Sequence, residues 1–336
     1  MGLIEELCNT YGPAGREYGV RTRIQKELKK HCSKIYTDRL GNLIARRPPK
    51  DAKTGEKIML CAHMDEIGLI ITYIDKKGFL RFTNVGGIFP GRILHQRVVF
   101  EKGTIGVIGF DRDEGSLKTP EKPKLNKMYI DIGARNRQEA QQLVQIGDIA
   151  SFYQQAIHIS DTRISSKALD DRIGCYCLIE AAKKVKSRKH DLYFVFSVQE
   201  EVGLRGARTG AYGIAPEYAL AVDVTDTGDT PEAHKMEVAL GKGTAIKVKD
   251  SMFIANPMIK DRLVRYAKAL KIPYQLEILE RGTTDAAIIQ LVREGVMSGV
   301  LSIPTRYIHS TNEVCDLNDV KATIKLLTHV CEKGLG

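Results

Sequence analysis

Asp191–Ala207, DLYFVFSVQEEVGLRGA, is the stretch whose reading decides the fold. Leu192 to Val198 is aromatic, β-branched and almost uncharged, the composition of a strand covered on both faces of a parallel sheet. Glu200 and Glu201 come next at its carboxyl end, the edge where ligands bind in open α/β sheets. Side chains alternate along a strand, so one carboxylate can hold a cation while its neighbour faces a substrate. The plainer reading is a solvated acidic pair closing a strand, and only partners elsewhere in the chain decide between the two.

Those partners stand at the ends of other apolar runs. Lys57–Ala62 (KIMLCA) reads as a second buried strand and ends in His63-Met64-Asp65, where Asp65 can reach the His63 imidazole and fix its tautomer. Tyr218–Val224 (YALAVDV) is a third, and its single acid, Asp223, is costly there unless a cation or strong donors compensate it. Gly299–Ile303 is a fourth, followed by Pro304-Thr305-Arg306-Tyr307-Ile308-His309, with Arg306 placed to position the histidine. Ser166–Arg172 leads into a helix; capping accounts for one of Asp170 and Asp171 and leaves the other free to bind something. Two imidazoles and three carboxylates, His63, Asp170, Glu201, Asp223 and His309, suit two divalent ions sharing one carboxylate.

Between about Ile67 and Ser160 the pattern changes to short alternating strands punctuated by glycines, the signature of a small twisted barrel or sandwich inserted into the α/β unit. Asp113–Lys127 is expected to be an exposed loop of that insert, and Asn136–Gln145 a helix. At 336 residues and 43% hydrophobic content the chain is ample for one large domain and a smaller one. No run approaches the length of a membrane span, and the acidic start MGLIEELCNTYG lacks the basic opening of a secretory signal. The seven cysteines are scattered without a Cys-x-x-Cys pair, so reduced, buried thiols and a cytoplasmic location are expected. The net charge of +10 comes without interleaved aromatics or a nucleic-acid module, which makes a solvated basic face the expectation and leaves nucleic acid outside the expected partners. Carbohydrate hydrolysis finds no support, since the chain has no Trp for a sugar platform.

AHMDEIG, KALDDRIG, QEEVGLRGA, AVDVT and IPTRYIHS together resemble the successive motifs of the tetrahedral (TET) aminopeptidases, which include glutamyl, leucyl and deblocking enzymes. The likeness spans essentially the whole chain, and the position of the insert between His63 and Asp170 matches that group. It implies a three-layer, zinc-exopeptidase-like α/β catalytic domain (residues 1–66 and 161–336) with a small β-barrel-like dimerisation domain inserted at 67–160. It implies two divalent ions per chain, zinc or cobalt, with Asp170 bridging, His63 and Asp223 completing one site and Glu201 and His309 the other. Glu200 then becomes the general base on a water shared by the ions, and Asp65 the partner of His63. Short peptides with a free N-terminus are the implied substrates, and a homo-oligomer, a dodecamer built from dimers, is the implied assembly.

Two loops depart from the family pattern: Ser310-Thr311-Asn312-Glu313, where a Pro tends to follow the Ser, and Gly282-Thr283-Thr284-Asp285, where Gly-Gly-Thr-Asp is usual. Arg281 to Asp285 and Phe89 to Arg92 are expected to line the substrate pocket. Arg92 and Arg281 are candidate partners for an acidic side chain, although the expectation leans to a neutral, leucine-like residue. The competing readings are an N-acyl amino acid deacylase on the same metal site and a catalytically silent assembly protein, which would have no need of Glu200.

Overall fold

The computed structural model describes residues 2–50, 55–111, 123–187 and 189–336, and every structural statement refers to these. Asp191–Ser197, Lys57–His63, Tyr218–Thr225 and Met297–Arg306 lie side by side and parallel at the centre of an eleven-stranded mixed sheet. Leu43–Arg47 and Lys34–Thr37 extend one side, and Glu313–Asp316, Arg163–Ser166 and Ile157–His158 the other. The central strands are buried along nearly their whole length, which is why they read as unbroken apolar runs. Helices Leu3–Asn9, Tyr18–Leu28, Leu169–Lys184, Pro257–Ala269 and Leu317–Lys333 pack on one face around Leu60, Phe194, Phe196 and Val222. Arg205–Ile214 and Ala286–Ile289 cover the other, against Met59, Cys61, Val195 and Ala219. The three-layer α/β expectation holds. Phe194 and Phe196 are fully buried, each contributing roughly 1.5–3 kcal/mol of transfer free energy.

After Glu66 the chain leaves this sheet and closes a six-stranded barrel, in the order Gly68–Ile74, Leu80–Val85, Met128–Asp131, Ile105–Phe110, Arg97–Phe100, Ile149–Phe152. Leu69, Ile71, Leu80, Phe82, Val98, Ile108 and Ile130 fill its interior, so alternation in the sequence is the imprint of a one-sided core. Closure gives each of these strands a neighbour on both sides. Asn136 caps the helix Arg137–Leu143 by accepting from Glu139 N at 3.0 Å. The chain rejoins the large sheet at Ile157–His158, which pairs with Arg163–Ser166. Of the loop expected at 113–127, residues 113–122 lie outside the described ones, and Leu125–Lys127 forms a single 3-10 turn.

All seven cysteines are buried and unpaired. Among the described residues no helix is long and apolar enough to cross a membrane.

Candidate active site

The parallel strands deliver their carboxyl ends to one edge, and the residues at or just beyond those ends build the site. Lys57–His63 ends on His63 itself, and Asp223 lies two residues before the end of Tyr218–Thr225. Asp191–Ser197 stops three residues short of Glu200, so strand alternation does not set the Glu pair, contrary to expectation. A turn does so: Gln199 takes φ +56, and the Glu200 carbonyl accepts from Gly203 N and Leu204 N, both at 2.9 Å.

The two adjacent aspartates divide their work as the capping argument requires. Asp171 spends its oxygens on backbone amides, Oδ1 on Gly174 N at 3.0 Å and Oδ2 on His63 N at 3.1 Å. Asp170 turns its carboxylate to the rings instead, Oδ1 to His63 Nε2 at 3.0 Å and Oδ2 to His309 Nε2 at 3.4 Å. Glu201 Oε2 lies 3.2 Å from the same His309 nitrogen, and Asp223 Oδ1 lies 3.9 Å from His63 Nε2. Glu200 Oε2 is also 3.9 Å from His63 Nε2. Donor atoms of His63, Asp170 and Glu201 fall within 4.8 Å of one another, as do those of His63, Asp171 and Asp223.

A set of backbone clamps holds these groups. The Asp65 carboxylate accepts from Glu200 N at 3.0 Å and Glu201 N at 3.1 Å, while the nearest group to His63 Nδ1 is the Asp65 main-chain oxygen at 3.1 Å, with carboxylate Oδ1 at 3.5 Å. Its larger structural task is thus to fix the Glu pair. Glu313, which sequence reasoning does not single out, accepts from Asp170 N and His309 N, both at 3.0 Å. Arg306 does not reach His309; it pairs with Asp229 at 2.9 and 2.7 Å. Fully buried Arg172 donates to Met64 O and Leu7 O at 2.6 Å, Thr10 O at 3.0 Å and Gly12 O at 3.2 Å, tying the N-terminal segment to the strand end that bears His63.

Electrostatics describe a site crowded with acid. Burial pushes the carboxyl pKa values of Glu200, Asp223, Asp171 and Glu313 well above the usual range, with neighbouring acids adding to the effect. Burial also opposes charge on His309, yet Glu201 and Asp170 outweigh it and push the ring up to about 12. His63 is raised likewise, against burial, by Glu200, Asp170 and Asp65. The surrounding carboxylates favour positive charge at both rings, a demand that a divalent cation meets better. The donor set fits such an ion: nitrogen and oxygen donors are mixed, Asp170 divides its oxygens between two directions, and Glu201 Oε1 is buried with no hydrogen-bond partner.

Above this edge lies a cavity of about 850 Å³ lined by His63, Asp170, Glu200, Glu201, Asp223 and His309 together with Phe89, Arg92 and residues 279–284. Of the expected pocket residues, Arg92, Arg281, Gly282, Thr283 and Thr284 line it. Asp285 does not. It lies behind the wall, where Oδ2 accepts from Ser197 Oγ at 2.5 Å and faces Cys61 Sγ at 3.3 Å. Arg92 is already engaged, donating to Ile308 O at 2.6 Å and stacking 4.4 Å over the Phe89 ring.

A parallel sheet that gathers imidazoles and surplus carboxylate at one edge, with a barrel inserted between the first histidine and the paired aspartates, defines an α/β protein with a candidate divalent-metal site. Residues 41–326 match the model of the M42 glutamyl aminopeptidase family, and the chain belongs to that family. A chain of Acetivibrio thermocellus, provisionally named an aminopeptidase, is 49% identical over 97% of this chain and 96% of its own. The lysyl aminopeptidase of Pyrococcus furiosus is 37% identical over 98% and 96%. The Pyrococcus horikoshii TET1 peptidase, described as assembling into a tetrahedron or a large octahedral shell, is 33% identical, covers 98% of each chain and superposes with a TM-score of 0.89. The chain is therefore an aminopeptidase, a hydrolase of peptide bonds, and its family implies divalent metal.

Proposed function

We propose that the chain is a cytoplasmic aminopeptidase that releases N-terminal residues from short peptides with two divalent ions, zinc or cobalt. Asp170 would bridge them, His63 and Asp223 would complete one site, and Glu201 and His309 the other. The observation that carries this reading is the division of the Asp170 carboxylate between the two histidine rings. The bound ions would supply Lewis acidity and a water acidic enough to lose its proton near neutral pH. Glu200 takes that proton at a carboxylate oxygen and hands it to the nitrogen of the leaving amine. Asp65 holds Glu200 and Glu201 in register through their amides.

Asp170, Glu201, Asp223, Glu200 and Asp65 together exceed the charge of two divalent ions by one, and that surplus favours a substrate's free α-amine. Arg306 and Arg92 are spent on Asp229 and Ile308, Arg281 shares the cavity wall with Glu280, and Val224, Leu279 and Ile308 supply apolar wall, which supports a neutral, leucine-like side chain over an acidic one. A panel of Leu, Glu, Lys and Ala chromogenic substrates, beside N-acetyl-Leu, tests the reading. Leu is expected to be cleaved fastest and the acetylated compound hardly at all. Faster release of Glu or Lys overturns the preference, and efficient release from N-acetyl-Leu makes the enzyme a deacylase.

The α/β unit (1–66 and 161–336) would carry the chemistry, and the segment 67–160 would pair subunits into a dodecamer built from dimers. Likeness to the TET1 peptidase supports this assembly. Native mass spectrometry is expected to give a large homo-oligomer, and an active monomer would refute it. Seven buried, unpaired thiols suit a reducing compartment.

A further inference from the structure

His309 is gripped from two sides, and one of them is the barrel. Its Nε2 faces Asp170 and Glu201, while Nδ1 lies against Gly87, so closely that a methyl group there would stand 2.7 Å from Nδ1 and 2.9 Å from Cε1. At the preceding Gly86 a methyl group would stand 3.1 Å from Glu201 Oε2. Three more barrel side chains reach the same loop. Arg92 Nη1 donates to Ile308 O at 2.6 Å, Thr311 Oγ1 donates to Gln96 Oε1 at 3.3 Å, and Gln154 Nε2 donates to Asn312 Oδ1 at 2.9 Å.

The loop needs such holding. Tyr307 and His309 adopt φ +60 and +59, left-handed values that are sterically costly for a residue with a side chain. Glu313 fixes the His309 amide from the α/β side, and the barrel closes the other side. Gly87 itself has no left-handed φ, so its backbone would accept alanine. What the site uses at 87 is the absence of a side chain, which lets the imidazole come up against the barrel.

We propose that the barrel segment Gly86–Arg92 is a positioning element for the catalytic edge, with Gly87 and Arg92 the positioning residues for His309. The barrel is then a wall of the active site as well as a candidate assembly surface, and displacing it against the sheet displaces His309. The inference rests on the reading of His309 as a metal ligand.

The test compares Gly87→Ala with Gly213→Ala in the full chain, since Gly213 lies in the helix Arg205–Ile214 and a methyl group there meets nothing within 4 Å. Metal per chain, kcat, KM and the thermal midpoint are measured for each. Gly87→Ala is expected to lower metal content by up to one ion and kcat by about a hundredfold, the scale of a misplacement near 1 Å, with KM and the thermal midpoint little changed. Gly213→Ala should match the parent. Arg92→Ala, which frees the Ile308 carbonyl, should move the same readouts in the same direction and decides the matter if Gly87→Ala does not fold. Full metal content and kcat in Gly87→Ala, or a loss confined to the thermal midpoint, overturn the proposal. His309→Ala separates the two levels. If it loses metal while Gly87→Ala does not, the positioning idea alone fails; if it keeps both ions and full kcat, the ligand reading itself fails.

Discussion

Glu200→Gln is expected to fold, to retain its metal and to lose at least about a hundredfold in kcat, the lower end of the roughly 10²–10⁴ that a general base contributes. The substitution keeps the shape of the side chain and removes its basic oxygen. Nothing in the scaffold should shift, because Asp65 grips the Glu200 main-chain amide and not its side chain. The neighbouring change, Glu201→Gln, has the opposite signature. Glu201 Oε2 faces His309 Nε2 at 3.2 Å and Oε1 is buried without a partner, so an amide there replaces a donor to the ion by an N–H that repels it. Metal analysis of the two variants side by side checks the assignment, and equal metal loss in both would show that the pair has been assigned wrongly.

The features legible in the sequence and those hidden from it divide along one physical line. Strands covered on both faces must be apolar along their length, so Asp191–Ser197 and Tyr218–Thr225 announce themselves, and the polar residues at their ends stand out against that background. The barrel was legible for the same reason, through the alternation that a one-sided core imposes. Its closure was not, because Arg97–Phe100 meets Ile149–Phe152 only by a pairing about fifty residues distant in sequence.

The clamps were hidden more deeply. Glu313 holds Asp170 and His309 through backbone amides, one of them 143 residues away, and a bond to an amide leaves no mark on the identity of the residue that donates it. Loop context misled at Arg306 and Asp285. Each was expected to face the chemistry, but Arg306 found a carboxylate at Asp229, and Asp285 turned inward to Ser197 and Cys61. A short polar loop gives no periodicity from which to tell inward from outward.

Asp170→Asn should have the largest effect on metal. Every other donor in the set faces one histidine or the other, whereas Asp170 alone presents Oδ1 to His63 at 3.0 Å and Oδ2 to His309 at 3.4 Å. An asparagine keeps one oxygen and places an NH₂ group where the second stood, so it cannot serve both directions whichever way it is turned. Loss of the shared carboxylate therefore weakens both positions at once, while His309→Ala or Asp223→Asn should weaken mainly one. Metal content is expected to fall from two ions per chain to below one, and activity by more than about a hundredfold, the upper end for residues that merely support a ligand. The fold should survive, because Glu313 binds the main-chain amide of residue 170 and Asp171 still caps the helix. Chelation of the parent protein supplies the reference state: activity should vanish with the metal and return with zinc or cobalt. If Asp170→Asn keeps two tightly held ions, or if the parent stays fully active with metal shown to be absent, the bridging assignment is wrong.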